Sequence, residues 1–154
     1  MINPHDAIKL TNVISRKYRF YYRDLERYLA EFIQDIFSLN LTIKGPLIYS
    51  LHNVPMDEMM NVEFYMPVAQ DRVETPPDMD FHSYFFIGPM ISTVDLVNSE
   101  ASMEAAYASL FHYMEQNHLR QVTPIFHVAS GDETLQYMTV KIGAAKKDIE
   151  EIWK

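Results

Sequence analysis

The spacing of apolar residues along the chain changes between the two-residue period of a strand and the 3.6-residue period of a helix. Each change of period marks the start of a new secondary-structure element. Residues 8–20 mix β-branched, aromatic and basic side chains, which is typical of a strand. From Leu25 to Phe37 the apolar residues step by three and one, which predicts one face of a helix. After a break at Gly45-Pro46, residues 47–51 and 62–68 are predicted strands. The first half therefore predicts the order β-α-β-β.

The second half repeats this order. A second helix face follows residue 98, with Asn98 or Ser99 as its expected N-cap. The remaining predicted elements are strands over 81–91 (interrupted at Gly88-Pro89), 123–128 and 135–142, and a short C-terminal helix over 144–154 with Ile149, Ile152 and Trp153 on one side.

The two halves align at one constant offset of 78 residues. Leu25 falls on Met103 at the start of the helix faces, Pro46 falls on Pro124, and Tyr49 falls on His127. Any two helix–strand pairs can be aligned by their hydrophobic pattern. The evidence for a duplication is therefore the constant offset and the shared proline. We predict a single α+β domain built by duplication, with repeat 1 at about 8–70, a linker at 71–80 and repeat 2 at about 81–143.

Composition and charge narrow the class of protein. The chain has 154 residues, enough for one domain. It has no cysteine, which excludes disulfides and thiol catalysis and fits a cytoplasmic location. The net charge of -8 repels phosphate backbones, so we expect no nucleic-acid partner. No apolar run approaches the roughly 20 residues of a membrane span, and the residues after Met1 do not resemble a signal peptide.

Three short motifs carry a resemblance to a known family. They are Gly45-Pro46-Leu47-Ile48-Tyr49, Glu63-Phe64-Tyr65-Met66-Pro67-Val68 and Ala106-Tyr107-Ala108-Ser109-Leu110. In this order they resemble the GyrI-like superfamily of small-molecule-binding domains, over roughly residues 8–143. The chain is similar to a stand-alone group from Gram-positive bacteria, some members of which are encoded beside type VII secretion toxin genes. The resemblance implies a curved antiparallel sheet, two helices on one face and a pocket between the halves.

Glu63 is the leading candidate for a pocket acid. It alternates with Val62 and Phe64, so it points to the opposite face of the strand. A poorly hydrated carboxylate among aromatic rings suits an amine or a cationic aromatic ligand. The alternative is a solvent-facing glutamate on a half-exposed strand. The other candidate ligand-binding residues are the wall residues Tyr65, Tyr49, His127, Tyr137 and Tyr84.

The late strand of the second half departs from the family pattern. Aligning Pro67-Val68 with Lys141-Ile142 places Glu63 opposite Tyr137, at an offset of 74. A tyrosine in place of the acid predicts an asymmetric site. The six histidines show no ligand spacing for a metal, and no nucleotide-binding fingerprint occurs, so we expect no metal and no cofactor.

Two functions from different classes follow. The first is a non-enzymatic pocket for a small, largely apolar, neutral or cationic ligand. The second is an acidic module that binds a protein client, such as a secretion toxin partner. Separately, the predicted C-terminal helix has two possible partners, its own sheet or a second copy of the chain. Some GyrI-like proteins resemble hydrolases, but no catalytic residue is predicted because no nucleophile elbow is present.

Overall fold

The structure is a computed structural model that describes residues 1–52 and 58–148. Over these residues it is α+β, as the hydrophobic pattern predicted. A short 3₁₀ helix at Tyr22–Asp24 precedes the first α-helix. The elements in chain order are β1 Asn3–Tyr21, α1 Leu25–Ser38, β2 Ile48–Leu51, β3 Met59–Pro67, β4 Asp80–Asp95, α2 Glu100–Gln116, β5 Leu119–Gly131 and β6 Gln136–Lys146.

The chain divides into two units. The first unit is Lys9–Phe86, and the second is Met1–Ile8 together with the chain from Ile87 onward. The long strand β1 begins in the second unit and ends in the first, and β4 begins in the first unit and ends in the second.

In the first unit, β3 lies between β1 and β2 and pairs antiparallel with both. Its alternate residues Val62, Phe64 and Met66 are buried in the core, where Phe32 and Ile36 of α1 contribute. A helix with one apolar stripe covers one face of a pleated sheet, because burying that stripe is its main source of stability. The other face of β3 is therefore left for Glu63 and Tyr65.

The second unit has the same kind of arrangement. Strand β6 pairs antiparallel with β4 and with β5. Helix α2 begins at the predicted N-cap Ser99, whose side chain accepts from the Ser102 backbone N–H while the Ser102 hydroxyl accepts from the Ser99 backbone N–H. This reciprocal capping box fixes the start of the helix. Its apolar side, with Leu110 at the centre, packs in a core that includes Ile142.

Two predicted boundaries are wrong. Strand β4 continues through Gly88-Pro89, where an interruption was predicted, and ends at Asp95. Its ladder with β6 begins at Met90, after the proline, so the donor that Pro89 lacks is not needed in that ladder. The C-terminal helix was predicted from residue 144, but Ala144 pairs with Gln121 and β6 continues to Lys146. The rest of that prediction, with Ile149, Ile152 and Trp153, lies outside the described residues.

The order β-α-β-β occurs once in each half of the chain. Residues 69–79, which include most of the predicted linker, form no helix or strand. The internal duplication itself stays a prediction. Neither described helix is long and apolar enough to cross a lipid bilayer.

Candidate functional site

The candidate site is built on the face of β3 that points away from α1. Glu63 pairs across the ladder with Lys17 of β1 and with Ser50 of β2. Directly paired residues share a face of a sheet. Tyr65, two residues further along β3, lies on the same face opposite Ser15. The register therefore brings polar residues of three strands together.

Glu63 is a buried carboxylate with few donors. Only 8% of the residue is exposed to solvent. Its Oε1 accepts a hydrogen bond of 2.9 Å from the Tyr65 hydroxyl. The same oxygen lies 3.9 Å from Nε2 of His52, which is beyond hydrogen-bond distance. A buried charge is costly unless it is paired, and a neutral phenol does not neutralise it.

His52 does not supply the missing positive charge near neutral pH. Burial lowers the pKa of His52, the nearby Lys17 charge lowers it further, and only Glu63 opposes these effects. The imidazole is therefore neutral near neutral pH. Its Nε2 lies 2.7 Å from the Ser50 hydroxyl, which fixes the ring beside the carboxylate.

Tyr65 acts as a fixed hydrogen-bond donor. Burial raises its pKa well above the usual value, and the Glu63 charge adds to this rise. The phenol therefore stays protonated and continues to donate to Glu63. The Ser50 hydroxyl, 3.4 Å from the Tyr65 hydroxyl, connects Tyr65 to His52.

The start of β4 adds an aromatic wall. Phe85 packs against Tyr65 with ring centroids 5.0 Å apart, and against His82 at 5.8 Å. Nε2 of His82 is hydrogen-bonded to the buried Ser15 hydroxyl at 2.9 Å. We refer to the set formed by Ser15, Ser50, His52, Glu63, Tyr65, His82 and Phe85 as the Glu63 cluster.

A cavity of about 420 Å³ adjoins this cluster at His52. Its volume is within the range of about 300–1,000 Å³ that is typical of small-molecule sites. Among the described residues, its lining is formed by Lys17, Tyr18, Arg19, His52, Asn61 and Val62. All of them belong to the first unit.

The structure brings Glu63 and Tyr65 together but places two other predicted wall residues elsewhere. Tyr49 pairs with Phe64 on the face that packs against the α1 core, so it lies across the sheet from Glu63. Tyr84 is 65% exposed and stacks on Phe86, with centroids 6.5 Å apart. Neither is part of the Glu63 cluster.

The remaining two predicted residues lie in the second unit. His127 is only 1% exposed, and its Nε2 is hydrogen-bonded to the Tyr107 hydroxyl of α2. Burial raises the pKa of Tyr107 to about 12, so it remains a phenol. Tyr137 lines a separate cavity of about 470 Å³ at the β5–β6 turn.

The predicted correspondence between Glu63 and Tyr137 stays a prediction, like the duplication on which it depends. Tyr49 pairs with Phe64 in the first unit, and His127 pairs with Val140 in the second. If Tyr49 is matched to His127, these ladders place Thr139 at the position of Glu63, whereas the alignment anchored on Pro67 places Tyr137 there.

Sequence reasoning missed the partners of Glu63. Ser50 of β2 and His52, just after its end, are two residues apart, which was an available signal that they share a face. Which β2 residue lies opposite Glu63 depends on the register, which the hydrophobic pattern did not determine. Among the described residues, no group of three or more His, Asp or Glu side chains is arranged to hold a metal ion.

Comparison with protein families identifies the chain's relatives. The chain belongs to the family described as Domain of unknown function (DUF5085), whose model matches residues 9–146. No match was found among curated proteins.

Among solved structures, the chain is similar to the EcmrR C-terminal domain, with a TM-score of 0.68 and 14% identity over 92% of this chain and 97% of that one. It also matches EcmrR in an EcmrR–DNA complex, with a TM-score of 0.65 and 16% identity over 92% of this chain and 57% of that one. An uncharacterized conserved protein from Listeria innocua matches with a TM-score of 0.56 and 9% identity over 91% of both chains. At these identities the likeness shows a shared fold.

Proposed function

We propose that the chain binds a small, largely apolar molecule carrying a positive charge, with Glu63 as its counter-ion. The observation that carries this proposal is the buried Glu63 carboxylate, which accepts from one phenol and has a neutral imidazole beside it. A bound cation would supply the charge that these neighbours lack. A neutral ligand of the same shape would bind more weakly, because it leaves the carboxylate uncompensated.

The surroundings of Glu63 suit an aromatic or alkyl ammonium group. Tyr65 binds the carboxylate through its hydroxyl, and its ring packs against that of Phe85. An ammonium group held over an aromatic ring gains about 0.5–2 kcal/mol, and more as water is excluded. The carboxylate and the rings therefore favour the same class of ligand. The GyrI-like fold, shared with the EcmrR C-terminal domain, supports a binding role rather than a particular ligand.

The role we propose is binding without chemical turnover. A thermal-shift comparison of phenethylamine with phenethyl alcohol tests whether binding depends on the positive charge, because the two ligands differ in charge and hardly in shape. At a hundredfold excess over Kd, a ligand specific for the native state adds about 2.7 kcal/mol of stability. That corresponds to roughly 5–10 °C in Tm for a chain of this size. We expect a shift with the amine and a smaller one with the alcohol. Equal shifts, or none with either at ligand excess, would count against the proposal.

A second candidate function is favoured by the surface of the second unit. Leu96 and Val97 are 60% and 73% exposed, and Leu135 is 54% exposed. The residues that follow these two segments, Asn98 and Gln136, line a cavity together with Asp132 and Glu133. Exposed apolar side chains with an acidic rim are typical of protein-binding surfaces. We propose a basic, apolar protein segment as the partner of this surface. Pull-down with a Leu96→Ser/Val97→Ser variant tests it, and capture equal to that of the wild type would contradict it.

A further inference from the structure

Four polar side chains of the first unit form one row of hydrogen-bonding contacts. From one end to the other they are His52, Ser50, Tyr65 and Glu63. Nε2 of His52 lies 2.7 Å from the Ser50 hydroxyl, and that hydroxyl lies 3.4 Å from the hydroxyl of Tyr65. Tyr65 donates to Oε1 of Glu63 at 2.9 Å. Ser50, Tyr65 and Glu63 are all buried, so these three groups depend on the row for their hydrogen bonds.

The direction of the row is set at Glu63. An ionised carboxylate only accepts hydrogen bonds, so the single proton of the Tyr65 hydroxyl is directed to Glu63. Towards Ser50, the Tyr65 oxygen can therefore only accept. The Ser50 proton is then directed to Tyr65, and towards His52 the serine oxygen can only accept as well.

These directions place a proton on Nε2 of His52. A neutral imidazole carries its one proton on either Nδ1 or Nε2, and here Nε2 must donate to the Ser50 oxygen. The opposite tautomer, with the proton on Nδ1, would draw the Ser50 proton to Nε2. The Ser50 and Tyr65 oxygens would then lie 3.4 Å apart with no proton between them, inside a buried cluster. The tautomer with the proton on Nε2 is therefore the one that satisfies the whole row.

The Nε2 proton of His52 is a potential competitor of a ligand at Glu63. It is carried by a nitrogen that lies 3.9 Å from Oε1 of Glu63. While the Ser50 oxygen accepts this proton at 2.7 Å, the imidazole does not donate it to the carboxylate. The position of Ser50 therefore affects what Glu63 can bind.

We propose that Ser50 is a positioning residue of the site. It accepts the Nε2 proton of His52 and so keeps the Glu63 carboxylate available to the ammonium group of a ligand. This inference rests on the proposed function and deepens it, since it states how the same carboxylate is kept ready. Ser50 acts through its two hydrogen-bonding partners, His52 and Tyr65, and not by contact with the ligand.

The ring nitrogens of His52 test the direction of the row without any ligand. Proton–nitrogen correlation NMR of the imidazole rings distinguishes a protonated nitrogen from a bare one, and a His52→Phe variant identifies the His52 signals. In the wild-type protein at about pH 7.5 we expect a protonated Nε2 and a bare Nδ1. In Tyr65→Phe the Ser50 proton is released and can turn to Nε2, so the share of the tautomer protonated on Nδ1 should rise.

Ser15→Ala is the matched control for the NMR measurement. Ser15 is also a fully buried serine on this face of the sheet, but its hydroxyl contacts His82 instead of the row. The substitution should leave the His52 tautomer unchanged. A wild-type His52 protonated on Nδ1, or the same tautomer in the wild-type protein and in Tyr65→Phe, would overturn the inference.

Calorimetric titration with phenethylamine tests the positioning role. In Ser50→Ala the Nε2 proton of His52 loses its acceptor and is free to turn to Glu63. We expect the amine affinity to fall about three- to tenfold, which is the range for one neutral hydrogen bond. In a His52→Phe background the same Ser50→Ala change should alter the affinity by less than about twofold, because no competing proton remains.

Circular dichroism checks that each variant is folded. An equal loss of affinity in both backgrounds, or no loss in either, would overturn the inference. The proposed function would still stand in that case if Glu63→Gln abolished binding of the amine. Absence of any Glu63-dependent amine binding would overturn both.

Discussion

At the residue scale, the buried carboxylates of Asp95 and Glu63 differ in the hydrogen bonds that they accept. Asp95, in the second unit, accepts from the backbone amides of Val97 and Asn98 at 3.0 and 3.1 Å and from the Ser102 hydroxyl at 3.0 Å. Burial raises the pKa of Asp95, but these donors outweigh it and leave the pKa below the usual value. Within residues 1–52 and 58–148, Glu63 accepts a hydrogen bond from one hydroxyl, that of Tyr65. The hydrogen bonds of Asp95 are typical of a carboxylate with a structural role. Glu63 can still accept hydrogen bonds from a ligand.

The donors around Asp95 predict a stability effect. Asp95→Ala would leave three donors between β4 and α2 without their acceptor, and we expect a loss of about 1.5–3 kcal/mol in the free energy of unfolding. Urea denaturation of the variant measures this loss. Glu104→Ala, on an exposed position of α2, should change stability by less than about 0.5 kcal/mol. Equal effects for the two variants would show that the Asp95 hydrogen bonds do not stabilise the β4–α2 connection.

His52 predicts a pH dependence of ligand binding. Its pKa is lowered in the folded protein, chiefly by burial, so the ring gains a proton only on the acidic side of its ordinary range. The imidazolium would then lie 3.9 Å from Glu63 and compete with a cationic ligand. We expect phenethylamine affinity to fall by about three- to tenfold between about pH 7.5 and about pH 5.

The groups facing His52 decide how this titration is interpreted. The charges of Glu63 and Lys17 act on its ring, in opposite directions. In a His52→Asn variant the fall should be largely absent over the same pH range. A fall of the same size in the variant would show that His52 does not cause the pH dependence.

At the element scale, sequence periodicity predicted the helices better than the strand ends. The predicted helix face from Leu25 to Phe37 lies within α1, and the predicted N-cap Ser99 precedes α2. Strand β5 was predicted over 123–128 but extends from Leu119 to Gly131. Its first residues, 119–122, show no alternation of apolar and polar side chains, so hydrophobic patterning does not mark this end, and the ladder with β6 holds it in place.

The candidate site was predictable only in part for the same reason. Alternation along β3 correctly separated Glu63 and Tyr65 from the core residues. It could not select between Tyr49 and Ser50 as neighbours of Glu63, because that choice depends on register between strands. Pairing with β3 puts Ser50 beside Glu63 and Tyr49 on the other face.

Strand β6 carries a glycine that its neighbour requires. A Cβ at Gly143 would lie 2.3 Å from Cγ2 of Thr123, while the Gly143 amide donates to Oγ1 of Thr123 at 2.8 Å. The register between β5 and β6 is irregular between Gln121 and Ile125, where Thr123 lies. The threonine cannot rotate away without losing this hydrogen bond.

We therefore expect Gly143→Ala to destabilise the protein by about 1–3 kcal/mol, which is the usual range for overpacking. Adding Thr123→Ser removes the clashing methyl group and keeps the hydroxyl, so the double variant should recover part of the loss. Denaturation midpoints at constant m-value measure both effects. Additive losses in the double variant would contradict the steric explanation.

At the scale of the whole molecule, the net charge of -8 attracts any cation weakly, wherever it binds. Binding at Glu63 is instead local, since it depends on one buried carboxylate in the first unit. The two sources of attraction differ in their response to point substitutions. Removing one surface charge changes the overall field as much as removing Glu63 does.

The most direct measurement is calorimetric titration of phenethylamine into the wild-type protein, Glu63→Gln and Glu31→Gln. Both substitutions remove one negative charge, but Glu31 lies on an exposed position of α1. We predict that Glu63→Gln weakens binding of the amine by at least about tenfold. Phenethyl alcohol binding should change by less than about twofold in that variant, and Glu31→Gln should leave the amine affinity within the same margin. Amine binding that is equal in all three proteins would contradict the assignment of Glu63 as the counter-ion.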